Sequence, residues 1–245
     1  MKLITLISCL LFYVNGFTAP INTIPSFSDS LLRVHRCNDF VVSGRGENPE
    51  WEKTNWVGLD KIDTGCSGNR TKFKILYSAT GIYVLFSGDD GKISSSFKND
   101  FENLFEADVF EVFFHPNPGE AEPVYFEYEV SPLDKELVLL ILNMNGRFGS
   151  WMPWHYEDGK KVIKKVIITG GKMEPGASIK SWSAELFFPY SLLIPLKNVP
   201  PVPGSLWNAN FCRLDYDSGH MVKWSWSPVA KSFHEFRKYH SLLFE

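Results

Sequence analysis

Hydrophobic and polar positions exchange every few residues along this chain, and from Trp51 onward they fall into short runs separated by Gly, Pro, Asn and Asp. Phe73–Ala79 and Ile82–Gly88 flank Thr80-Gly81, the mark of a tight hairpin. Residues 108–115 alternate, and so do residues 125–130, where Tyr125, Glu127 and Glu129 share one face and Phe126, Tyr128 and Val130 the other. Further runs at 137–143, 162–169, 182–188, 206–214, 222–226 and 240–244 bring the expectation to about ten strands. A short helical turn is expected at Tyr190–Leu193, ahead of Pro195. With no βαβ alternation and no repeat at solenoid or propeller spacing, the pattern predicts an all-β fold. It is a single antiparallel β-sandwich, jelly-roll or immunoglobulin-like, with short helical turns only, over residues 36–245. Residues 17–35, with Pro20, Pro25 and a Ser/Asp cluster, read as an extended N-terminal arm.

The first 16 residues follow a different pattern. Met1-Lys2 supplies one positive charge, and Leu3 to Val14 is apolar but for Thr5 and Ser8. A run of about 12 residues is too short to span a bilayer but fits the apolar core of a signal peptide. Val14-Asn15-Gly16 offers a cleavage site before Phe17, so the protein is expected to be secreted or periplasmic. Leu6-Ile7-Ser8-Cys9 resembles a lipobox, and the competing reading is an outer-membrane lipoprotein anchored through Cys9. That would leave only Leu3 to Ser8 as apolar core. No later stretch has the length of a transmembrane helix. After processing, Cys37, Cys66 and Cys212 remain, an odd number for an oxidising compartment. Cys212 lies in an apolar run and reads as a buried thiol. Cys37 and Cys66 lie in loop-like sequence, where a disulfide would add about 3 kcal/mol.

Composition narrows the chemistry. The 245 residues carry 25 Lys+Arg against 28 Asp+Glu, which leaves no general electrostatic footprint for nucleic acid. No GxSxG elbow, HExxH motif, Walker loop or GxGxxG fingerprint occurs. Glu111 with Glu127 or Glu129, on adjacent strands, could form the acid pair of a glycoside hydrolase. The same residues also read as a solvated strand face or a calcium site. Asp89-Asp90-Gly91, after the 82–88 run, offers hard oxygen ligands for a structural calcium ion, or an Asx turn with solvated carboxylates. No other cofactor is required. Met144, Met152, His155, His220 and Met221 are the residue types that ligate haem, but no CxxCH accompanies them.

The 20 Phe, 9 Tyr and 8 Trp change the picture more. Trp182, Trp207, Trp224 and Trp226 fall in strands and read as core. Trp151-Met152-Pro153-Trp154-His155-Tyr156 follows Asn145-Gly146 and Gly149 and reads as a loop. Exposed indoles there would stack on the C–H faces of a sugar ring, unless one folds back to cap the sandwich.

Six segments in order carry a resemblance: Thr80–Phe86, Leu104–Phe114, Tyr125–Pro132, Trp182–Pro189, Leu206–Arg213 and Trp224–Pro228. Together they resemble carbohydrate-binding module family 9-like domains, a group within the DOMON-like β-sandwiches, over about residues 40–245. The resemblance implies a sandwich that binds saccharides without cleaving them, with two ring clamps, polar hydroxyl ligands and structural calcium. By motif the clamps fall on Phe105 and Phe233, the acidic ligand on Glu111, and neighbouring polar positions on Glu129 and Asn210. Both clamps are Phe where the family pattern has Trp, which leaves Trp151 and Trp154 as an alternative platform. The expected function is an exported, non-catalytic protein that recognises plant-type poly- or oligosaccharides, working beside glycoside hydrolases. The alternatives are a glycoside hydrolase using Glu111 and Glu127, or a DOMON-type binder of haem or another redox ligand.

Overall fold

A computed structural model describes residues 31–62, 70–119, 124–144, 147–154 and 158–245. Fourteen strands run through these residues: β1 Leu31–Arg36, β2 Val57–Gly58, β3 Asp60–Lys61, β4 Thr71–Tyr77, β5 Gly81–Asp89, β6 Val109–His115 and β7 Val124–Val130. They continue with β8 Glu136–Met144, β9 Arg147–Pro153, β10 Ile163–Thr169, β11 Ser181–Pro189, β12 Leu206–Asp215, β13 Val222–Ser225 and β14 His240–Phe244. The remaining regular structure is short: α1 (Tyr190–Leu193) and single 3-10 turns. All ten expected strands form, as do the hairpin across Thr80-Gly81 and the turn at Tyr190.

The strands join in the order β10-β11-β5-β4-β1-β14-β12-β6-β7-β8-β9, with β13 beside β12. β1 is the link between two layers. It pairs in parallel with β14 on one side and with β4 on the other, so the expectation of a purely antiparallel sandwich is corrected at this strand. Residues 31–35, assigned to the N-terminal arm by their neighbours, lie inside β1. The signal peptide, Cys9 and the rest of the arm lie outside the described residues, as do Cys66 and hence the Cys37–Cys66 bridge.

Aromatic rings fill the space between the layers. Phe73 stacks on Phe211 at 3.8 Å, and Phe110 lies 4.8 Å from Phe86 and 3.7 Å from Trp182. Trp182, Trp207 and Trp224 are buried in this core, and Trp226 packs against it. These large rings supply area burial plus edge and face contacts, so much of the 15% aromatic content is structural. On the outer face of the β4–β5–β11 layer, Trp51, Tyr83 and Leu85 make a second cluster under the segment that follows β1. The outer face of the other layer carries the site.

Candidate functional site

Alternation sends Phe110, Val112, Phe114, Phe126, Tyr128 and Val130 into the core, and so turns Glu111, Glu127 and Glu129 onto the opposite face of β6 and β7. That face is covered rather than solvated. Leu104, Val229, Phe233, Phe236 and Tyr239 fold across Phe113, Tyr125, Leu137 and Leu139 as a third cluster. Glu111 stands directly across the ladder from Glu129, and Glu127 is two residues further along β7. The three glutamates are 2%, 4% and 0% exposed in the order 111, 127, 129, which overturns the solvated-face reading.

A cavity of about 350 Å³ opens above them. Glu111, Glu127, Glu129, Leu139 and Leu214 line its floor, and the rings of Phe105, Phe148, Trp151 and Phe233 its walls. Lys223, Lys231, Ser232 and His234 add polar groups. Among the described residues no hydrogen bond of ordinary geometry reaches either carboxyl oxygen of Glu129 or Oε2 of Glu127, although the Phe105 backbone N–H stands beside Glu129 and the Glu127 and Glu129 carboxyls beside each other. Burial pushes the Glu127 carboxyl up to about 8. Glu111 is raised by burial and then by repulsion from Glu127, and Glu129 by burial and then by repulsion from both neighbours. Each unpaired buried polar group costs about 1–3 kcal/mol, so the fold carries this cluster against its own stability. His234 Nδ1 lies 2.9 Å from the Tyr125 hydroxyl and 4.0 Å from Glu127 Oε2. Burial pushes its pKa down to about 4, so at pH 7 it is a neutral ring and no counter-ion for the glutamates.

The structure thus brings Phe105, Glu111, Glu129, Trp151 and Phe233 to one cavity. Trp151 gets there on a strand, because residues 147–153 pair with β8 as β9, an edge strand, rather than forming a loop. Ile141 faces Trp151 in that ladder. Trp154 turns the other way: half-buried, it packs against the inter-layer core and donates its indole N–H to the Leu192 carbonyl at 3.1 Å. Asn210 shares the outer face of β12, but its amide is spent inside the protein. Its nitrogen donates to Ser225 Oγ at 2.9 Å, and its oxygen accepts from the Ser227 backbone N–H at 2.9 Å. It does not line the cavity. Phe148, Lys231 and His234 went unnoticed in the sequence, since they reach the cavity from separate segments with no shared motif. Among the haem-type residues, Met221 lines the cavity and Met152 is exposed, while His155 lies outside the described residues.

The acidic turn is arranged differently from the expected Asp89 and Asp90 pair. Asp89 points to Arg70, whose Nε lies 3.3 Å from Oδ2, whereas Asp90 joins Asp108 and Asp217. One oxygen from each of these three lies within 4.8 Å of the others. Asp108 accepts backbone N–H groups from Ser94 at 2.5 Å and Tyr216 at 2.8 Å, and Asp217 accepts from the Gly91 N–H at 3.0 Å. Burial pushes Asp90 up to about 8, partly offset by Arg213, and Asp108 to about 6, partly offset by the Tyr216 and Ser94 backbone N–H groups and then by Arg213. Three hard oxygen donors, two of them buried and held by the backbone, fit a calcium ion.

Residues 42–140 match the family model described as carbohydrate family 9 binding domain-like. A crystal structure of a candidate carbohydrate-binding protein from Bacteroides uniformis ATCC 8492 is similar to 88% of the chain and 99% of its own, with a TM-score of 0.73 at 18% identity. A carbohydrate-binding module of family 9 from Caldicellulosiruptor kristjanssonii, solved with glucose, has a TM-score of 0.61 at 14% identity over 88% of this chain and 95% of its own. The cellotriose complex of a family 9 module from that organism also gives 0.61 at 14% identity, over 87% and 94%. No curated protein matches the sequence. Residues 42–140, which hold three of the six ordered segments, are similar to the carbohydrate family 9 binding domain-like model, and the chain shares its fold with family 9 modules.

Proposed function

We propose that this protein binds saccharides, without cleaving them, in the cavity floored by Glu111, Glu127 and Glu129. The carrying observation is the meeting of unpaired buried carboxyl oxygens with four aromatic rings in one cavity of about 350 Å³. Sugar rings offer apolar C–H faces for Trp151, Phe105 and Phe233, and hydroxyl donors for the glutamates. The glucose and cellotriose bound by modules of the same fold support this reading, and plant-type β-glycans are the ligands we propose. A glycoside hydrolase needs one carboxyl kept protonated and another kept ionised. Here the same burial raises all three, and among the described residues no lysine or arginine pairs with any of them, so binding is favoured over hydrolysis. Export through residues 1–16 and action beside glycoside hydrolases belong to the same proposal. Among the described residues no helix is long and apolar enough to cross a membrane.

The expected result of calorimetric titration with cellotriose is a loss of about 1–2 kcal/mol in binding for Trp151→Ala, and likewise for Phe233→Ala and Phe105→Ala, the scale of one aromatic contact. Trp154→Ala serves as the control: its indole belongs to the core, so stability falls while affinity holds. Undiminished affinity in the three cavity variants would refute the site.

Calcium is proposed at Asp90, Asp108 and Asp217. Saturation at 100 times the dissociation constant would stabilise the fold by about 2.7 kcal/mol, or about 5–10 °C in Tm. Melting in calcium against chelator should show that shift in the wild type and lose it in Asp108→Asn. Identical curves for the wild type in both buffers would remove calcium from the account.

A further inference from the structure

We propose that the cavity favours an amino sugar, a saccharide whose protonated amine is received by the face formed by Glu111, Glu127 and Glu129. The inference rests on the saccharide reading and deepens it. Three carboxyl groups gathered under one cavity are more acid than a neutral sugar needs. Hydroxyl groups can bond to carboxyl groups, but they bring no charge that would let buried acids ionise together.

The protein supplies no offset either. Among the described residues no lysine or arginine lies within ion-pair distance of these glutamates, and Lys223 Nζ donates to the Lys231 carbonyl instead. Both oxygens of Glu129, a fully buried side chain at the edge of the cavity, accept no hydrogen bond of ordinary geometry, and only the Phe105 backbone N–H and the Glu127 carboxyl stand beside them. A cationic ligand would let these buried acids ionise, which no lysine or arginine among the described residues does.

A bare metal ion suits this place poorly. Among the described residues, the group of three acids whose oxygens crowd within 4.8 Å of one another is Asp90, Asp108 and Asp217, not the glutamates. The glutamate oxygens are spread more widely, which fits an ammonium with hydroxyl groups around it. The walls agree with this, because Trp151, Phe148, Phe105 and Phe233 line the cavity, and aromatic rings attract a cation as well as the C–H surface of a sugar. An ammonium among the carboxyls would also draw them back toward their ordinary ionised range.

The test compares three β-1,4-linked trimers by calorimetry on the purified protein: cellotriose, the glucosamine trimer and its fully N-acetylated form. A pH of about 6.5 keeps a free sugar amine protonated. The expected result is at least tenfold tighter binding of the glucosamine trimer than of either neutral trimer. That ratio should collapse to near one in Glu129→Gln and in Glu111→Gln, each shown by melting to be folded. Equal affinity for all three trimers, or a preference that survives both variants, would overturn the amino-sugar inference and leave the neutral-glycan reading standing. Silence toward all three trimers from folded wild type would overturn the saccharide reading itself.

Discussion

Arg213→Met unfolds more readily than the wild type by about 3–5 kcal/mol, the scale expected when one partner of a buried charge pair is removed. Arg213 lies on β12 with its side chain fully buried. Its Nη2 donates to Asp90 Oδ2 at 2.9 Å and Asp215 Oδ2 at 3.0 Å, and Nη1 donates to the Asp89 carbonyl at 2.6 Å and Thr71 Oγ1 at 3.2 Å. The guanidinium also lies 5.8 Å from the centre of the Phe110 ring. This one group ties β12 of one layer to β4 and β5 of the other. Gly88 makes room for it: a Cβ there would sit 2.7 Å from Arg213 Nη1. Methionine keeps much of the volume and removes the charge, leaving Asp90 and Asp215 buried without it. Urea denaturation with and without calcium measures the loss. Because the cation proposed at Asp90, Asp108 and Asp217 would partly replace the missing charge, the deficit should shrink in calcium. A stability within 1 kcal/mol of wild type in chelator would refute the structural role given to Arg213.

The arginine also shows where the sequence was legible and where it was not. Strands with alternating residues, such as Val109–His115 and Val124–Val130, could be read directly, because a period of two leaves few other structures open. Their shared glutamate face followed from the same rule. What alternation does not say is which of two faces is covered, and the cover here comes from residues 229–239, far along the chain. Hence the glutamates read as solvated and are in fact buried. Residues 151–156 read as a loop because Asn145-Gly146 and Gly149 open that stretch, but residues 147–153 form an edge strand, which pairs on one side only and tolerates Gly149 and Pro153. β2 and β3, two residues each, carry no periodic signal at all. The acidic cluster was half visible: Asp90 stood in a suggestive turn, while Asp108 and Asp217 arrive from 18 and 127 residues away through tertiary pairing. Resemblance found Phe105 and Phe233 where periodicity alone could not, since they lie in segments far apart along the chain.

Glu185→Ala is expected to cost about 3–5 kcal/mol, through loss of an acceptor that several buried donors share. Glu185 is a fully buried carboxyl on β11. Its Oε2 accepts from the Ser43 N–H at 2.8 Å, the Ser43 hydroxyl at 2.9 Å, the Gly44 N–H at 2.6 Å and the Gly46 N–H at 3.3 Å. Oε1 accepts from the Trp51 indole N–H at 2.8 Å. Gly44 and Gly46, at φ of 88° and 68°, adopt the left-handed turn that aims those N–H groups at one point. Alanine would leave the donors facing a void and release residues 43–51 from the sheet. Glu185→Gln keeps an acceptor for part of the set and should lose less. Chemical denaturation of both variants checks the order, and an alanine variant within 1 kcal/mol of wild type would refute the account. The contrast with the cavity carries the functional argument. Where the fold uses a buried carboxylate for itself, as at Glu185, Asp90 and Asp108, it surrounds the oxygens with donors. Glu129 is buried just as deeply, accepts no hydrogen bond of ordinary geometry, and has only the Phe105 backbone N–H and the Glu127 carboxyl beside it. The fold that surrounds those other buried acids with donors leaves this one poorly served at the edge of a cavity, which is why the proposed saccharide donor is placed there.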